Sequence, residues 1–401
     1  MRHARTLVVA AIVAVLCAVV APTHAASPSL GVALDRALRT PGVARDRTAA
    51  IAIDLRSGRT VFAQNADVSL LPASVEKLAI SFTALHVLGP RFRFHTEVVG
   101  VGTRTGRAWS GNLLLVGFGD PTLTRADLNR LARRVAATGI RRIEGRVLGD
   151  DTYFDTRRDA LGWKPSYLGI ESRPLSALSV GGLPFAGVNG SAAAAARAFT
   201  EALETRGIAV DGRPGAGRAS GNAFPIAFDL SQQLEHIVPR MTADSDNFVA
   251  EMVLKEIGAT FAERGSTASG AQVVRSTLAG AGVALAGVRI ADGSGLSRFD
   301  RLTVRALAYI LRAGATDPSI GDVFVSSLAV AGVSGTLKTR LDTRPTRGLI
   351  HAKTGTTNRA SALAGLVRNR YVFAILHNGS PVPYWSARAA QDRFVTVLAR
   401  S

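Results

Sequence analysis

The sequence predicts an α+β protein whose two ends build one domain around a long inserted region. Strand-like segments, rich in apolar and β-branched residues, lie near the start of the chain and again near its end. Apolar stretches long enough for helices lie beside them. From about residue 91 to about residue 230 the pattern changes to short strands, an arginine-rich helix and turn-rich segments. With 401 residues the chain has room for more than one domain.

The first segment, residues 1–26, is predicted to be an export signal. It has a basic start, an apolar stretch at residues 7–21 and a small-residue cleavage site at residues 23–25. An uncleaved anchor is the alternative, although the apolar stretch is short for a membrane span. The single cysteine, Cys17, lies in this stretch, so the mature chain has neither a disulfide nor a thiol nucleophile. We therefore expect an exported protein, periplasmic or associated with a cell wall.

The remaining elements follow in order along the chain. A hairpin at 49–55 and 60–64 precedes an apolar helix at 74–88. The inserted region contains predicted strands at 96–101, 112–116 and 145–148, helices near 126–138 and 191–206, and turns at 211–222. A helical region then runs with breaks from 230 to about 311, followed by strands at 349–354, 362–367 and 371–376 and a last helix from 386. We expect residues 27–90 and 231–401 to form one domain and residues 91–230 to form smaller inserted domains.

The net charge limits the classes of partner. The formal charge is +18 at pH 7, so an exported protein of this composition is drawn to anionic surfaces such as a bacterial wall or membrane lipid. Nucleic acid is a common partner of such charge. However, the arginines are dispersed and form no basic stripe, aromatic platform or zinc-ligand spacing. The sequence therefore indicates no nucleic-acid function.

Lysine is rare in this chain, and one lysine lies at the spacing of a nucleophile and its base. Only five of the 48 Lys+Arg positions are lysine. Lys77 closes Ser74-Val75-Glu76-Lys77, the only S-x-x-K, and residues three apart share one face of a helix. If Ser74 were only a helix cap, position 77 would favour Glu or Gln. A lysine there is disfavoured by the helix dipole, which lowers its pKa and suits a neutral base.

The second motif is ambiguous, because S-x-N occurs three times. The triplets are Ser110-Gly111-Asn112, Ser220-Gly221-Asn222 and Ser245-Asp246-Asn247. The first two contain glycine and have the composition of turns. The third precedes an apolar helical pattern, and a helix is a more rigid platform for a catalytic group. We therefore choose Ser245 and Asn247, although both also suit ordinary helix capping.

The third motif, K-T-G, occurs once, at Lys353-Thr354-Gly355, and Thr356 follows it. It ends a predicted strand, where it presents a cation, a hydroxyl and a glycine that admits a substrate backbone. The alternative is an ordinary strand end with a solvated lysine, and the scarcity of lysine argues against it. Three motifs in the order S-x-x-K, S-x-N, K-T-G are much more specific than any one alone.

This ordered set resembles the penicillin-recognising serine enzymes: DD-peptidases, penicillin-binding proteins and serine β-lactamases. Four further segments resemble the D-Ala-D-Ala carboxypeptidase/endopeptidase family of the penicillin-binding protein 4 type, so that the resemblance spans nearly all of the mature chain. These segments are 117–121 (GFGDP), 241–251 around the second motif, 292–297 (DGSGLS) and 335–338 (GTLK). The resemblance implies a transpeptidase-like domain with an antiparallel sheet flanked by helices.

The resemblance also implies a role for each residue of the first two motifs. Ser74 would be the acylated nucleophile, and Lys77 would take its proton. Ser245 would relay a proton toward the leaving D-alanine. Asn247 would hold the peptide group of the substrate.

The K-T-G segment would bind the end of the substrate. Lys353, Thr354 and Thr356, beside Gly355, would bind the terminal carboxylate. The backbone N–H groups of Ser74 and Thr356 would form the oxyanion hole. The substrates implied are peptidoglycan stem peptides, and β-lactam antibiotics would act as acylating inhibitors.

Outside the motifs, Asp150 is the candidate for recognising the stem peptide. It ends a predicted strand that resembles one of the family, and its carboxylate would pair with the free amino group of a diamino acid such as diaminopimelate. An ordinary turn is the alternative. We expect neither a metal nor another cofactor, since the seven histidines show no triad or metal spacing. We give His351 no role and expect residues 293–295 to form a turn near the site.

Two other functions compete with the peptidase. A serine β-lactamase has the same motifs but needs a fast deacylation base. Glu171 is the nearest candidate in chain order, but it lies in the inserted region without the expected leucine-asparagine context. A catalytically weak cell-wall-binding module would use the positive charge, but the intact S-x-x-K and K-T-G argue against it.

Overall fold

The computed structural model describes residues 29–39, 41–185 and 189–401, so the predicted signal peptide and Cys17 lie outside the described residues. In chain order the strands are β1 (Thr48–Asp54), β2 (Thr60–Gln64), β3 (His95–Thr105), β4 (Ala108–Gly117), β5 (Arg142–Ile143), β6 (Val147–Asp150), β7 (Ala209–Val210), β8 (Gly215–Ala216), β9 (Phe224–Leu230), β10 (Ala329–Val330), β11 (Ile350–Thr357), β12 (Ala360–Val367) and β13 (Tyr371–Asn378). The α-helices are α1 (Leu30–Leu38), α2 (Lys77–Val87), α3 (Arg125–Ala137), α4 (Gly190–Glu204), α5 (Leu234–Thr242), α6 (Asn247–Ala262), α7 (Thr267–Gly280), α8 (Val304–Thr316), α9 (Gly321–Ser326) and α10 (Tyr384–Arg400). Short 3-10 helices lie at Ala73–Glu76, Pro165–Tyr167 and Gly335–Leu337.

The two ends of the chain share one antiparallel sheet of six strands, in the order β10-β11-β12-β13-β1-β2. β1, from the N-terminal end, pairs with β13, from the C-terminal end, along its whole length. β11, which carries the K-T-G motif, pairs with β12 from Ile350 to Thr357 but with β10 only at His351 and Ala352. The K-T-G part of β11 therefore lies at an edge of the sheet, where a substrate backbone has access.

Each face of this sheet is covered by helices. Side chains alternate along a strand, and in β1 the residues Ala49, Ile51 and Ile53 join one core with α2, α6 and α8. Ala50 and Ala52 join a second core with α1 and α10. Because both faces are buried, β1 is a nearly continuous apolar run rather than an alternating one.

Helix α2 lies at the centre of the first core. Nine of its eleven residues are buried, so it is enclosed on every side rather than amphipathic. Although α2 is apolar, no helix of the described residues has the length and apolar character needed to cross a membrane. The catalytic candidates Ser74 and Lys77 stand at the start of this enclosed helix and are therefore held on a rigid base.

A second sheet is built from strands that lie between residues 95 and 230. Its order is β7-β5-β4-β3-β9, with β6 on β4 and β8 on β6, and α3 and α4 pack against it. The predicted strands and helices of this region are present as β3, β4, β6, α3 and α4. β9 lies between the turns predicted at 211–222 and the helical region predicted from 230, where we predict no strand. It is an edge strand with mostly exposed residues, so it lacks the alternation by which a strand is recognised.

Residues 153–175 pack against the domain that carries the motifs. Lys255 of α6 donates to Asp155 at 2.5 Å. The Arg173 guanidinium lies 3.8 Å from the centre of the Phe248 ring, also on α6. These contacts fix one part of the inserted region against the helix that begins with Asn247.

Candidate active site

Ser74 lies in a tight helical turn. The 3-10 helix Ala73–Glu76 leads directly into α2, so the single helix that we predicted is a 3-10 turn followed by an α-helix. Lys77 Nζ lies 3.0 Å from Ser74 Oγ, the contact expected from their spacing. Ala73 has a φ of 49°, a left-handed conformation that costs a residue with a side chain about 1–2 kcal/mol. The backbone is therefore strained immediately before the nucleophile candidate.

Lys77 is fully buried and makes two further contacts. Its Nζ lies 2.8 Å from Asn247 Oδ1 and 2.6 Å from the carbonyl oxygen of Ser294. Burial lowers the pKa of Lys77 to about 8, although nearby carboxylates oppose this shift. The direction is the one we expected, but the main cause is burial rather than the helix dipole. A neutral amine donates its two hydrogens to Asn247 and Ser294 and keeps its lone pair for the Ser74 hydroxyl.

Of the three S-x-N triplets, the third is the one that reaches Lys77. Asn247 is the first residue of α6, while Asp246 caps this helix by accepting from the Val249 N–H at 3.0 Å. Ser245 has a φ of 66° and lies between α5 and α6. Its side chain has no hydrogen bond to another described residue in this structure.

The other two triplets lie in the second sheet and its loops. Ser110 is part of β4, not of a turn, and its hydroxyl donates to Glu144 at 2.5 Å. Ser220 is in a turn, where its hydroxyl donates to Asn222 at 2.6 Å. Neither serine bonds to a residue of the other two motifs.

Lys353 is fully buried on β11 and is not a solvated lysine at a strand end. Its Nζ donates to the carbonyl oxygen of Thr354 at 2.9 Å. Burial lowers the pKa of Lys353 well below its usual value, and the charge of Lys77 acts in the same direction. The two motif lysines therefore lie close enough to repel each other.

Gly355 is required by the packing of the protein itself. A Cβ at this position would lie 2.9 Å from the Pro72 carbonyl oxygen and 3.1 Å from the Ser74 amide nitrogen. We expected the glycine to admit a substrate backbone. The structure gives a packing reason for the same glycine, since it lets β11 approach the turn that carries Ser74.

Thr354 and Thr356 lie on the open side of β11. The Thr354 hydroxyl donates to the hydroxyl of Thr336 at 2.8 Å, and Thr356 is exposed. β11 continues to Thr357, three residues beyond its predicted end, because its ladder with β12 continues past the motif. A cavity of about 450 Å³ adjoins Thr356 and is lined in part by Glu171 and Leu296.

A buried turn that we had not assigned to the catalytic machinery supplies one acceptor to Lys77. Glu251 Oε1 accepts from the N–H groups of Gly293 and Ser294 at 2.9 and 2.8 Å. The carbonyl of Ser294 then points to Lys77 Nζ. Glu251 thus positions the turn, and the turn positions the lysine. The spacing contained a signal, since Asn247 and Glu251 are four residues apart and share one face of α6.

Carboxyl groups surround this turn. Burial, together with the charges of Asp292 and Glu251, raises the pKa of Glu76 well above its usual value. Burial also raises the pKa of Glu251 to about 8 and that of Asp300 well above its usual value. Protonated acids stabilise an ammonium group less than ionised ones, which is consistent with the low pKa of Lys77. In the part of the chain that the structure describes, no group of His, Cys, Asp or Glu is arranged to hold a metal ion.

Two candidates from the inserted region have different surroundings. Glu171 is beside the site, because Asn247 Nδ2 donates to its carbonyl oxygen at 3.0 Å and lies 3.5 Å from its carboxylate. Asp150 is buried, and its two oxygens accept from the N–H groups of Thr152 at 2.9 Å and Ala219 at 2.6 Å. Asp150 therefore stabilises the loops that follow β6 and β8.

Known proteins match this chain over most of its length. The D-alanyl-D-alanine carboxypeptidase of Actinomadura sp. (strain R39) is 29% identical over 452 residues, which cover 91% of this chain and 84% of the relative. Carboxypeptidase DacB of Mycolicibacterium smegmatis is 30% identical over 375 residues, which cover 86% of this chain and 78% of the relative. The crystal structure of penicillin binding protein 4 (dacB) from Haemophilus influenzae has a TM-score of 0.80 at 23% identity and covers 92% of this chain and 98% of that one. The predicted fold class is therefore confirmed.

One protein family matches almost the whole described length of the chain. Residues 30–180 and 177–401 match the D-Ala-D-Ala carboxypeptidase 3 (S13) family. These two ranges contain the S-x-x-K, S-x-N and K-T-G motifs. The resemblance drawn from the motifs is confirmed, and the chain belongs to the D-Ala-D-Ala carboxypeptidase 3 (S13) family.

Proposed function

We propose that this serine-type D-Ala-D-Ala carboxypeptidase cleaves peptidoglycan stem peptides through an acyl-enzyme on Ser74. The observation that carries the proposal is the position of Lys77. Its buried Nζ lies 3.0 Å from Ser74 Oγ and 2.8 Å from Asn247 Oδ1, and its pKa of about 8 leaves a useful fraction neutral near neutral pH.

Acylation would begin with proton transfer from the Ser74 hydroxyl to the neutral Lys77 amine. Ser74 Oγ then attacks the carbonyl carbon of the penultimate D-alanine. The backbone N–H groups of Ser74 and Thr356 would stabilise the oxyanion, and the close approach of β11 to Ser74 supports this pairing. Asn247 would hold the substrate peptide group.

The second half of the reaction releases the C-terminal residue and then the acyl group. The bond between the penultimate carbonyl carbon and the leaving nitrogen breaks, and this nitrogen takes the proton that Lys77 accepted from Ser74, which Ser245 would relay. Water then hydrolyses the ester on Ser74 and restores the hydroxyl and the Lys77 amine. The same mechanism applies to a cross-link in which the leaving amine belongs to another stem peptide, so endopeptidase activity needs no additional catalytic group.

The decisive experiment is labelling by a fluorescent penicillin. We expect wild type to take one label per chain. Ser74→Ala should take none, because the nucleophile is lost. Its melting temperature should equal that of wild type, because the core is unchanged. Ser245→Ala should still be labelled, but more slowly. Ser276→Ala, a change of an exposed serine on α7, is the matched control and should label as wild type does. Stoichiometric labelling of Ser74→Ala would place the nucleophile elsewhere.

A serine β-lactamase is the second candidate, and the position of Glu171 beside Asn247 is the observation in its favour. The two functions differ in the lifetime of the label. A peptidase keeps the penicilloyl ester for much longer than the labelling reaction takes, whereas a β-lactamase releases it rapidly. Rapid loss of label in wild type, slowed in Glu171→Gln, would support the β-lactamase.

We also propose that the protein is exported. The segment at 1–26 has the composition of a signal peptide, and peptidoglycan lies outside the cytoplasmic membrane. The positive charge of the chain would favour contact with anionic wall or membrane surfaces. N-terminal sequencing of the secreted protein tests cleavage near residues 25–26; an intact N-terminus in the membrane fraction would support an anchor instead.

A further inference from the structure

The third residue of the S-x-x-K motif is a buried acid that no step of the proposed reaction uses. Glu76 ends the 3-10 turn, immediately before Lys77, and its side chain is fully buried. Neither of its carboxyl oxygens has a hydrogen-bond partner among the described residues. A buried ionised carboxylate without a donor costs far more free energy than a buried neutral acid. The surroundings of Glu76 therefore disfavour its ionised form.

The neighbouring acids, in contrast, are supplied with hydrogen-bond donors. Asp292 accepts from the N–H groups of Gly295 and Ser297, both at 2.7 Å. Glu251 Oε1 accepts from two further N–H groups of the same turn. A carboxylate that accepts N–H bonds is stabilised in its ionised form. Among these three acids, Glu76 is thus the one with the least support for a negative charge.

The balance of charge also favours a proton on Glu76. The charges of Asp292 and Glu251 oppose its ionisation, and only the charge of Lys77 favours it. Asp300 is a fourth buried carboxyl, and its hydrogen bond with the Asp292 side chain raises its own pKa. Four carboxylates facing one ammonium group would bury a large excess of negative charge. Uptake of protons by the acids with the fewest donors removes this excess.

A neutral acid carries a hydrogen that needs an acceptor, and Glu251 has a free one. Glu251 Oε2 is buried without a partner, whereas Oε1 holds the amides of Gly293 and Ser294. The carbonyl oxygen of Ser294 in turn lies 2.6 Å from Lys77 Nζ. A donor to Oε2 would fix the Glu251 carboxyl group from its other side. It would thereby fix the turn that holds the lysine.

We propose that Glu76 is a neutral carboxylic acid that donates to Glu251 Oε2 and acts as a positioning residue for Lys77, through Glu251 and the Ser294 turn. This inference rests on the proposed function, because Lys77 is the base of that reaction. An ionised Glu76 would favour the ammonium form of Lys77, whereas the neutral acid does not. Two other charged groups interact with Lys77, namely Asp246 and Lys353, and substitutions at position 76 leave both in place.

Infrared spectroscopy detects the proton on Glu76, because a protonated carboxyl has a carbonyl-stretch band that carboxylates lack. At neutral pH, Glu76→Gln should lose one such band relative to wild type. Glu204→Gln, which removes an exposed carboxyl at the end of α4, is the matched control and should keep the band. A difference spectrum without a lost band would show that Glu76 is ionised and would overturn the proposal. This measurement does not depend on activity, so its result is separate from failure of the proposed function.

The pH profile of penicillin acylation tests the positioning role. Glu76→Gln keeps a neutral donor of the same shape, so its acylation rate should stay within about twofold of wild type, with the same midpoint. Glu76→Met keeps the length of the side chain but has no donor. Its plateau rate should fall about 10-fold or more, because a buried acceptor loses its partner. Its midpoint should move to lower pH, because Glu251 then takes up a proton more readily and stabilises the Lys77 ammonium group less.

The two variants separate three roles for Glu76. If Glu76→Gln moves the midpoint to lower pH as far as Glu76→Met does, the wild-type residue is negatively charged and the proposal is wrong. If Glu76→Met melts at a lower temperature but keeps the plateau rate and midpoint of wild type, Glu76 only supports the fold. If Glu76→Met does not fold, Glu76→Leu is the second variant without a donor, and the spectrum of Glu76→Gln can still overturn the proposal. Penicillin labelling of Ser74 in wild type reports the proposed function independently of these outcomes.

Discussion

Lys77 and Lys353 are lysines of the same site that make different contacts. Both are fully buried. Lys77 contacts the hydroxyl of Ser74, from which it would take a proton. Lys353 contacts a backbone carbonyl, that of Thr354. The first task needs a group that can be neutral, whereas the second needs only a donor.

Arginine substitutions distinguish these tasks. We expect Lys77→Arg to lower the acylation rate about 10²- to 10⁴-fold, because arginine cannot act as a base. Lys353→Arg should lose less, since arginine still binds a carboxylate. The second-order rate of penicillin acylation, with melting temperatures to check folding, measures both. Equal losses, or a larger loss at position 353, would contradict the assignment of roles.

The pKa of Lys77 also predicts a pH profile. Burial lowers this pKa to about 8, and only the neutral amine accepts the proton of Ser74. The acylation rate should therefore rise with pH, about tenfold per unit below pH 8, and level off above it. Rates measured from pH ~5 to ~10 test this. A rate that is flat or falls through this interval would exclude Lys77 as the base in its neutral form.

At the scale of elements, the site depends on two segments that each pack closely against the Ser74 turn. β11 approaches through Gly355, and the turn at residues 292–295 approaches through Gly295. Gly295 has a φ of 82°, and a Cβ there would lie 2.0 Å from the Ala73 carbonyl oxygen and 3.1 Å from the Ser74 nitrogen. Backbone atoms cannot yield as the end of a flexible side chain does, so both segments need glycine.

Gly295→Ala should therefore damage the site more than the fold. We expect overpacking to lower the free energy of unfolding by about 1–3 kcal/mol. Because the displaced atoms adjoin Ser74, the free-energy barrier to acylation should rise by more than this amount. Gly280→Ala is the control, because a Cβ at Gly280 meets no atom within 4 Å. Thermal melting and labelling rates measured on both variants decide the question. An alanine at 295 that labels as fast as wild type would show that this turn is not part of the catalytic support.

At the scale of the whole molecule, each of the two sheets is built from strands of a different predicted domain. The strands of the first sheet lie at residues 48–64 and 329–378, and those of the second lie at residues 95–230. This division supports the domain boundaries, which stay a prediction. Residues 153–175 belong to the inserted region but contact the domain that carries the motifs. Trp163 donates to Asp292 at 2.7 Å, and the Glu171 carbonyl accepts from Asn247. The inserted region thus forms one wall of the cleft.

The role of Asp150 also concerns the whole molecule, because it decides whether the inserted region takes part in substrate recognition. Its oxygens accept from the amides of Thr152 and Ala219, so recognition of an amino group stays a prediction that competes with a structural role. We compare a stem peptide that has a free diamino-acid amine with its acetylated analogue. If Asp150 recognises the amine, Asp150→Asn lowers turnover of the first peptide alone. A parallel loss on both peptides, with a lower melting temperature, would establish the structural role.

The sequence by itself determined the local features of this protein. A spacing of three residues along a helical turn places Ser74 next to Lys77, in a 3-10 turn as in an α-helix. The order of the three motifs indicated the family. Strands with buried faces were predictable from their apolar runs, whereas the exposed edge strand β9 carried no such signal.

Only the tertiary structure decided which distant residues meet. Asn247 reaches Lys77 across 170 positions, which selects one S-x-N from three. The burial of Lys353 and the support of Ser294 by Glu251 depend on how the first sheet and α6 pack together. Such contacts arise from burial of apolar surface summed over the whole domain, set against the entropy of closing long loops. The spacing of residues along the chain therefore does not predict which distant residues come into contact.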